Sequence, residues 1–185
     1  MEELRETLPE STINKDADKG IVATDGKEKK YVRDFQIDTD LEIMFPDEYI
    51  SNIPERIRLY KELNEVENEE ALKLFEEKLV YRFGPLPPSA ADLLDIVRIK
   101  WLAVKLGIEK ILLKNNLLLA NFTSDPNSGF YRSTLFVSLM NYLNNNPDKM
   151  KLKQNESRLT LTITDIGTIG SAISKLEGVM KKVAS

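Results

Sequence analysis

The sequence predicts an α+β fold. An N-terminal helical hairpin within a three-helix part is followed by ββα-ββα, with an antiparallel sheet covered by helices on one face. Three observations carry this. Between about residues 54 and 107, apolar residues recur at helical spacing. From 108 on, two pairs of segments alternate apolar and polar residues around polar turns. A further helical stretch follows each pair, and strands with helices on one side make a two-layer fold.

In chain order, residues 1–30 are polar and without periodicity, which predicts a flexible linker or tail. Phe35 and Ile37 alternate with polar residues, as do Leu41, Ile43 and Phe45, so one extended strand is expected up to Pro46. A first helix is expected from about Pro54 to Val66, with Ile57, Leu59, Tyr60, Leu63 and Val66 inward. A second is expected from Glu69 to Phe83, capped by Asn68 and carrying Leu72, Phe75, Leu79 and Phe83 on one stripe. Gly84 and Pro85, Pro87 and Pro88 stop it. The third, about Ser89 to Leu106, is apolar nearly all round and is expected to be the most buried helix, with Trp101 in its core and Gly107 as its cap.

Lys110–Lys114 and Leu117–Phe122 read as a hairpin about Asn115-Asn116, because Asn tolerates positive φ. Thr123 to Gly129 reads as a loop, and Ser133 caps a helix to about Asn145. Lys149–Lys153 and Arg158–Thr164 form a second hairpin, and the last helix spans about Thr168 to Val183.

Composition narrows the chemistry. The 185 residues include no cysteine and no histidine. That excludes thiolate and imidazole catalysis, disulfides, and cysteine or histidine metal sites. Net charge is −4, which disfavours nucleic acid as the main partner. The charge is uneven: residues 37–144 hold 12 basic and 17 acidic side chains, residues 145–185 seven and four. No apolar run is long enough to span a membrane and no signal peptide is evident, so the default location is cytoplasmic.

Several clusters have a chemical and a plainer reading. Asp38, Asp40 and Glu42 have the donors for a hard cation, yet strand alternation alone exposes them. Glu67, Glu69 and Glu70 suit a helix N-terminus. Gly167 and Gly170 sit where a helix could bind an anion, but the spacing matches no phosphate loop, so a strand-to-helix turn is expected. Lys149, Lys151 and Lys153, joined by Arg158, could form a nucleic-acid stripe; protection of a sheet edge, or partner docking, explains them better.

Four motifs go further. They are PDEYI at 46–50, ERIRLYKEL at 55–63, RFGPLPPSAADLL at 82–94 and KLGIEKI at 105–111. In this order they resemble the C-terminal (TRCF) domain of the bacterial transcription-repair coupling factors, the Mfd family. Residues 112–183 match mainly by order of elements.

The resemblance implies a non-catalytic regulatory domain over residues 31–185, with helical part about 54–107 and sheet-rich part about 108–185. The parent would be a cytoplasmic, ATP-dependent DNA translocase that displaces stalled RNA polymerase and recruits the excision-repair protein UvrA. The implied direct partner is the UvrB-like, UvrA-binding module of the same parent chain, which the domain masks. UvrA, RNA polymerase and DNA are reached through the parent. No cofactor, metal, small-molecule ligand or membrane is expected.

Interface candidates around the Arg-Phe-Gly turn are Glu76, Glu77, Lys78, Tyr81 and Arg82. Tyr49, Arg56, Tyr60, Phe83, Gly84, Leu86, Pro87 and Gly107 are the family-motif positions with a structural reading. Many family members carry acids four and one before the Arg. Here those positions are Lys78 and Tyr81, so any masking contact needs another arrangement, with Glu77 or Glu76 as substitutes. The alternative function is a nucleic-acid-binding accessory domain using the basic C-terminal strand. A metal-dependent carboxylate hydrolase is the third.

Overall fold

The computed structural model describes residues 31–156 and 158–184. The tail expected over 1–30 lies outside the described residues. The elements are β1 (Gln36–Thr39), α1 (Ile53–Asn64), α2 (Glu69–Phe83), α3 (Pro88–Lys105), β2 (Ile108–Lys114), β3 (Leu117–Phe122), a 3-10 turn (Gly129–Arg132), α4 (Thr134–Asn144), β4 (Met150–Gln154), β5 (Leu159–Thr164) and α5 (Ile169–Ala184).

The local signals explain these boundaries. Asn52 and Asn68 each accept a backbone N–H three residues on, from Glu55 and Ala71, both at 2.8 Å. Ser133 does the same for Phe136 at 3.1 Å. At the start of α5, Thr168 Oγ1 accepts from the Ser171 N–H at 3.0 Å, and Ser171 Oγ accepts from the Thr168 N–H at 3.1 Å. That reciprocal cap accounts for the Gly167–Gly170 stretch as a strand-to-helix turn. Asn115 and Asn116 have φ of 53° and 62°, the two positive values that a tight type I′ hairpin requires.

The five strands form one sheet in the order β1-β2-β3-β5-β4. β2, β3, β5 and β4 pair antiparallel, as expected. β1, whose partner the sequence left open, pairs parallel to β2, with Ile37 opposite Ile111, so the five-stranded sheet is mixed. Parallel neighbours need a long crossover, and the whole three-helix part supplies it.

β1 is also shorter than the strand expected to reach Pro46. Thr39 ends it, its hydroxyl donating to the Leu113 carbonyl at 2.7 Å and accepting from the Leu41 N–H at 3.1 Å. Beyond it the chain leaves the sheet. Leu41 and Ile43 still pack on the sheet's core, whereas Phe45 enters the helical one. The alternation was therefore a burial pattern without strand pairing.

One sheet face carries Ile37, Ile111, Leu113, Leu118, Ala120, Leu161, Ile163, Leu152 and Met150 into the core under α3, α4 and α5. The opposite face presents Lys110, Leu112, Leu119, Asn121, Thr160, Thr162, Lys151 and Lys153. A second, smaller core joins Phe45, Ile50, Leu59, Leu63, Leu72, Phe75 and Leu79 to Ala90, Leu94 and Val97 of α3. So α3 belongs to both cores, by its first half to one and by Ile99 and Ala103 to the other.

One inward assignment changes. Ile57 is exposed, and Leu59 is the fully buried residue of α1. The expected loop from Thr123 leads into the 3-10 turn, where Phe130 is fully buried. Gly107 (φ +77°) makes room for it: a Cβ there would stand 2.5 Å from the Phe130 ring.

Candidate docking surface

The family-motif side chains hold the α1–α2 hairpin to the chain that precedes it. Tyr49 donates its hydroxyl to the Gly84 carbonyl at 2.8 Å and packs on the Phe83 ring at 5.7 Å. Its phenol pKa is pushed up, by burial first and by the charge of Glu76 second. Arg56 donates to the Ile50 carbonyl at 3.0 Å and pairs with Asp47. Tyr60 accepts the Phe45 N–H at 2.9 Å and packs at a tilt against that ring. PDEYI, the Tyr of ERIRLYKEL and the Phe-Gly helix stop thus fold onto one another. Pro87 stands at the N-cap of α3, and the half-buried Leu86 packs on the hairpin core.

Along the outer seam the two helices are laced by charge. Glu55 binds Arg58 at 2.7 Å and Arg82 at 2.5 Å. Glu62 pairs with Lys78, and with Arg58 at 3.8 Å. The Arg58 hydrogen bond, supported by Arg82, holds the Glu55 carboxyl below the ordinary carboxylate range. Arg82 also lies over the Phe83 ring, at 4.8 Å from its centre. At the far end, Arg98 of α3 reaches Glu69 and Asp95, each at 2.5 Å. Its hydrogen bond lowers the Glu69 pKa.

The five interface candidates separate on this geometry. Lys78 and Arg82 already have partners in α1. Glu76 faces Tyr49, about 140° around the helix from Tyr81. Glu77 is exposed, and Tyr81 is 91% exposed. Sequence reasoning missed Leu74, which is 67% exposed and one heptad before Tyr81 on the same stripe. The signal was available, since the spacing that puts Leu72, Phe75 and Leu79 inward leaves Leu74 outside. The surface is therefore an apolar and aromatic stripe, Leu74 to Tyr81, beside a seam whose charges are matched within the hairpin.

The remaining candidates stand apart. Asp38 pairs with Lys114 at 3.3 Å, and Asp40 accepts the Asn115 N–H at 3.4 Å. Among the described residues, no group of three or more carboxylates stands close enough to hold a metal. Lys151 and Lys153 share the open sheet face, but Lys149 lies before β4 and faces Asp165 at 3.9 Å. Trp101 is half-buried against the hairpin core, and its indole N–H donates to the Val66 carbonyl at 3.4 Å. No described helix is long and apolar enough to cross a membrane.

Comparisons with known proteins bear on the family and the fold. A family model described as the TRCF domain matches residues 39–133. The transcription-repair-coupling factor of Rickettsia prowazekii is 39% identical over 75 residues, covering 40% of this chain and 7% of that protein. The factor of Escherichia coli K12 is 34% identical over 76 residues, 41% of this chain and 7% of that protein. The match thus spans about 7% of the length of these curated relatives. A crystal structure of the C-terminal domain of a transcription-repair coupling factor superposes with a TM-score of 0.66, over 85% of this chain and 94% of that one, at 20% identity. At that identity the likeness speaks for the fold.

Proposed function

The chain belongs to the TRCF domain family, and on that premise we propose that it is a non-catalytic regulatory domain of a transcription-repair coupling factor. In this reading it masks the UvrA-binding module of its own parent chain by docking the outer face of α2 upon it. The parent is then the ATP-driven DNA translocase, and UvrA, RNA polymerase and DNA are engaged through the parent.

The observation that supports docking through α2 is the Leu74–Tyr81 stripe. A Tyr left 91% exposed and a Leu left 67% exposed on one helix face offer aromatic and apolar area that suits a contact. The positions that carry acids in many family members are here Lys78, already paired, and Tyr81. The contact therefore rests on aromatic and apolar burial, with ionic pairing at its rim through Glu77. Such a contact need not be tight. Tethering supplies an effective concentration on the order of 1 mM, so a contact with Kd of ~100 µM stays closed about ten to one. An opening of that size is within reach of a motor that changes the parent's shape.

The test is a calorimetric titration of this chain with the isolated UvrB-like module of its parent. Binding that Tyr81→Ala weakens by at least about tenfold, and Leu74→Ala by less, is the expected result. No association at high micromolar concentration in low salt counts against masking. Association that both substitutions leave unchanged moves the contact to another face.

A further inference from the structure

Beyond that reading, and independently of it, we propose that the free edge of β4 is a strand-addition site for an extended partner segment alternating acidic and apolar residues.

β4 closes one side of the sheet, so its outer N–H and C=O groups have no strand partner among the described residues. Its side chains alternate between faces. Lys151 and Lys153 point to the open face and, among the described residues, make no ion pair; the half-buried Leu152 and the exposed Gln154 lie on the helix side. On that helix side lies a groove of about 420 Å³ lined mainly by Leu152, Leu159, Phe136, Met140 and Tyr131, with Gln154, Glu156 and Arg158 as its polar lining.

A strand laid along β4 must send alternate side chains to these two environments. One set meets the apolar groove. The other stands beside Lys151 and Lys153, where opposite charge in a cross-strand pair stabilises and like charge does not. Geometry and charge together therefore specify the occupant: apolar residues toward the groove and acids on the open face, in strict alternation.

The same lysines count against two other occupants. A second copy joined through a continuous sheet would set Lys151 and Lys153 against the lysines of its neighbour, which is unfavourable. A single strand of nucleic acid would want aromatic platforms. The open face offers only Lys, Thr, Asn and Leu across β2, β3, β5 and β4. Lysines at a sheet edge turn away neutral and basic strands, and the same device admits an acidic one.

The experiment uses the 185-residue chain and a fluorescein-labelled peptide, Glu-Val-Glu-Val-Glu-Val-Glu, in ~50 mM salt. Expected are saturable anisotropy and amide shift changes concentrated at Met150–Gln154 and at Phe136 and Met140. The double variant Lys151→Glu, Lys153→Glu should weaken binding at least about tenfold. A peptide with Pro at its central Val should lose as much, because Pro removes a ladder donor. Equal binding by the Pro peptide, or by Glu-Glu-Glu-Glu-Val-Val-Val, would overturn the proposal. So would shifts centred on α2, a dimer forming through β4, or displacement by a single-stranded oligonucleotide that binds more tightly than the peptide.

Discussion

The two cores of this chain differ in size and in what surrounds them. Among the described residues the sheet core buries 22 side chains and the hairpin core ten. The larger core lies under an outer face made mostly of threonines, lysines and one Asn. The smaller is wrapped by the Glu55–Arg82, Glu62–Lys78 and Glu69–Arg98 pairs, and leaves Ile57, Leu74 and Tyr81 exposed. A thin core held at its rim by charge is easier to open than a thick one, because exposed ion pairs add little. The difference points to a rigid platform carrying a more adaptable hairpin, with α3 as the element common to both.

The largest effect should come from the platform. Phe130 is fully buried and packs on Tyr31, Phe122, Tyr131 and Phe136. Phe130→Ala should cost about 3–5 kcal/mol in urea unfolding, and near-ultraviolet dichroism should fall as the ring cluster loosens. Leu79→Ala, at a fully buried site of the hairpin, should cost ~2–4 kcal/mol. The two cores differ in where that loss appears. Hydrogen exchange should accelerate over residues 53–83 and hardly change in β5 and α5. Equal acceleration in both regions would mean that α3 joins them into one cooperative unit.

The helix caps give a finer contrast at equal chemistry. Asn68→Ala in the hairpin and Ser133→Ala on the platform each remove one side-chain cap, a loss of about 1 kcal/mol. If the hairpin opens by itself, the first should change exchange locally in α2, while the second is felt across the sheet core through Leu139 and Leu143.

What could be read in advance divides along the same boundary. Periodicity placed α2 at its observed limits because Asn68 and Gly84 punctuate it. The Asn115-Asn116 turn and the Ser133 cap were equally legible, each being a local preference. The parallel pairing of β1 was not, since four residues carry no record of which strand lies beside them after a 68-residue crossover. Nor was Phe130 legible as core: its burial depends on the space left by Gly107, 23 positions earlier. On the candidate surface, the motif drew attention to α2, but the pairing of Lys78 and Arg82 with α1 depends on how two helices meet. Leu74 was overlooked because it lies outside the motif and off the buried stripe.

The smallest effect expected is that of pH, and it should fall on the hairpin. Glu55 and Glu69 have folded pKa values below their ordinary 4.5, chiefly through hydrogen bonds from Arg58 and Arg98 respectively. A carboxylate with a depressed folded pKa stabilises above its unfolded pKa, and that contribution is lost as pH falls through the folded value. Asp92 in α3 acts the other way, its pKa raised by burial and then by Asp95, so protonation there relieves a cost. Because Glu55 is half-buried at a rim where salt screens its more exposed partners Arg58 and Arg82, its share is small. Protection factors in α1 and α2, which correct for the slower intrinsic exchange in acid, should fall as pH drops below about 4, with β5 and α5 little affected. Glu55→Gln at neutral pH should reproduce part of that loosening and flatten the remaining acid dependence. An acid response spread evenly over the chain, or one unchanged in Glu55→Gln, would show that the charged seam does not hold the hairpin closed.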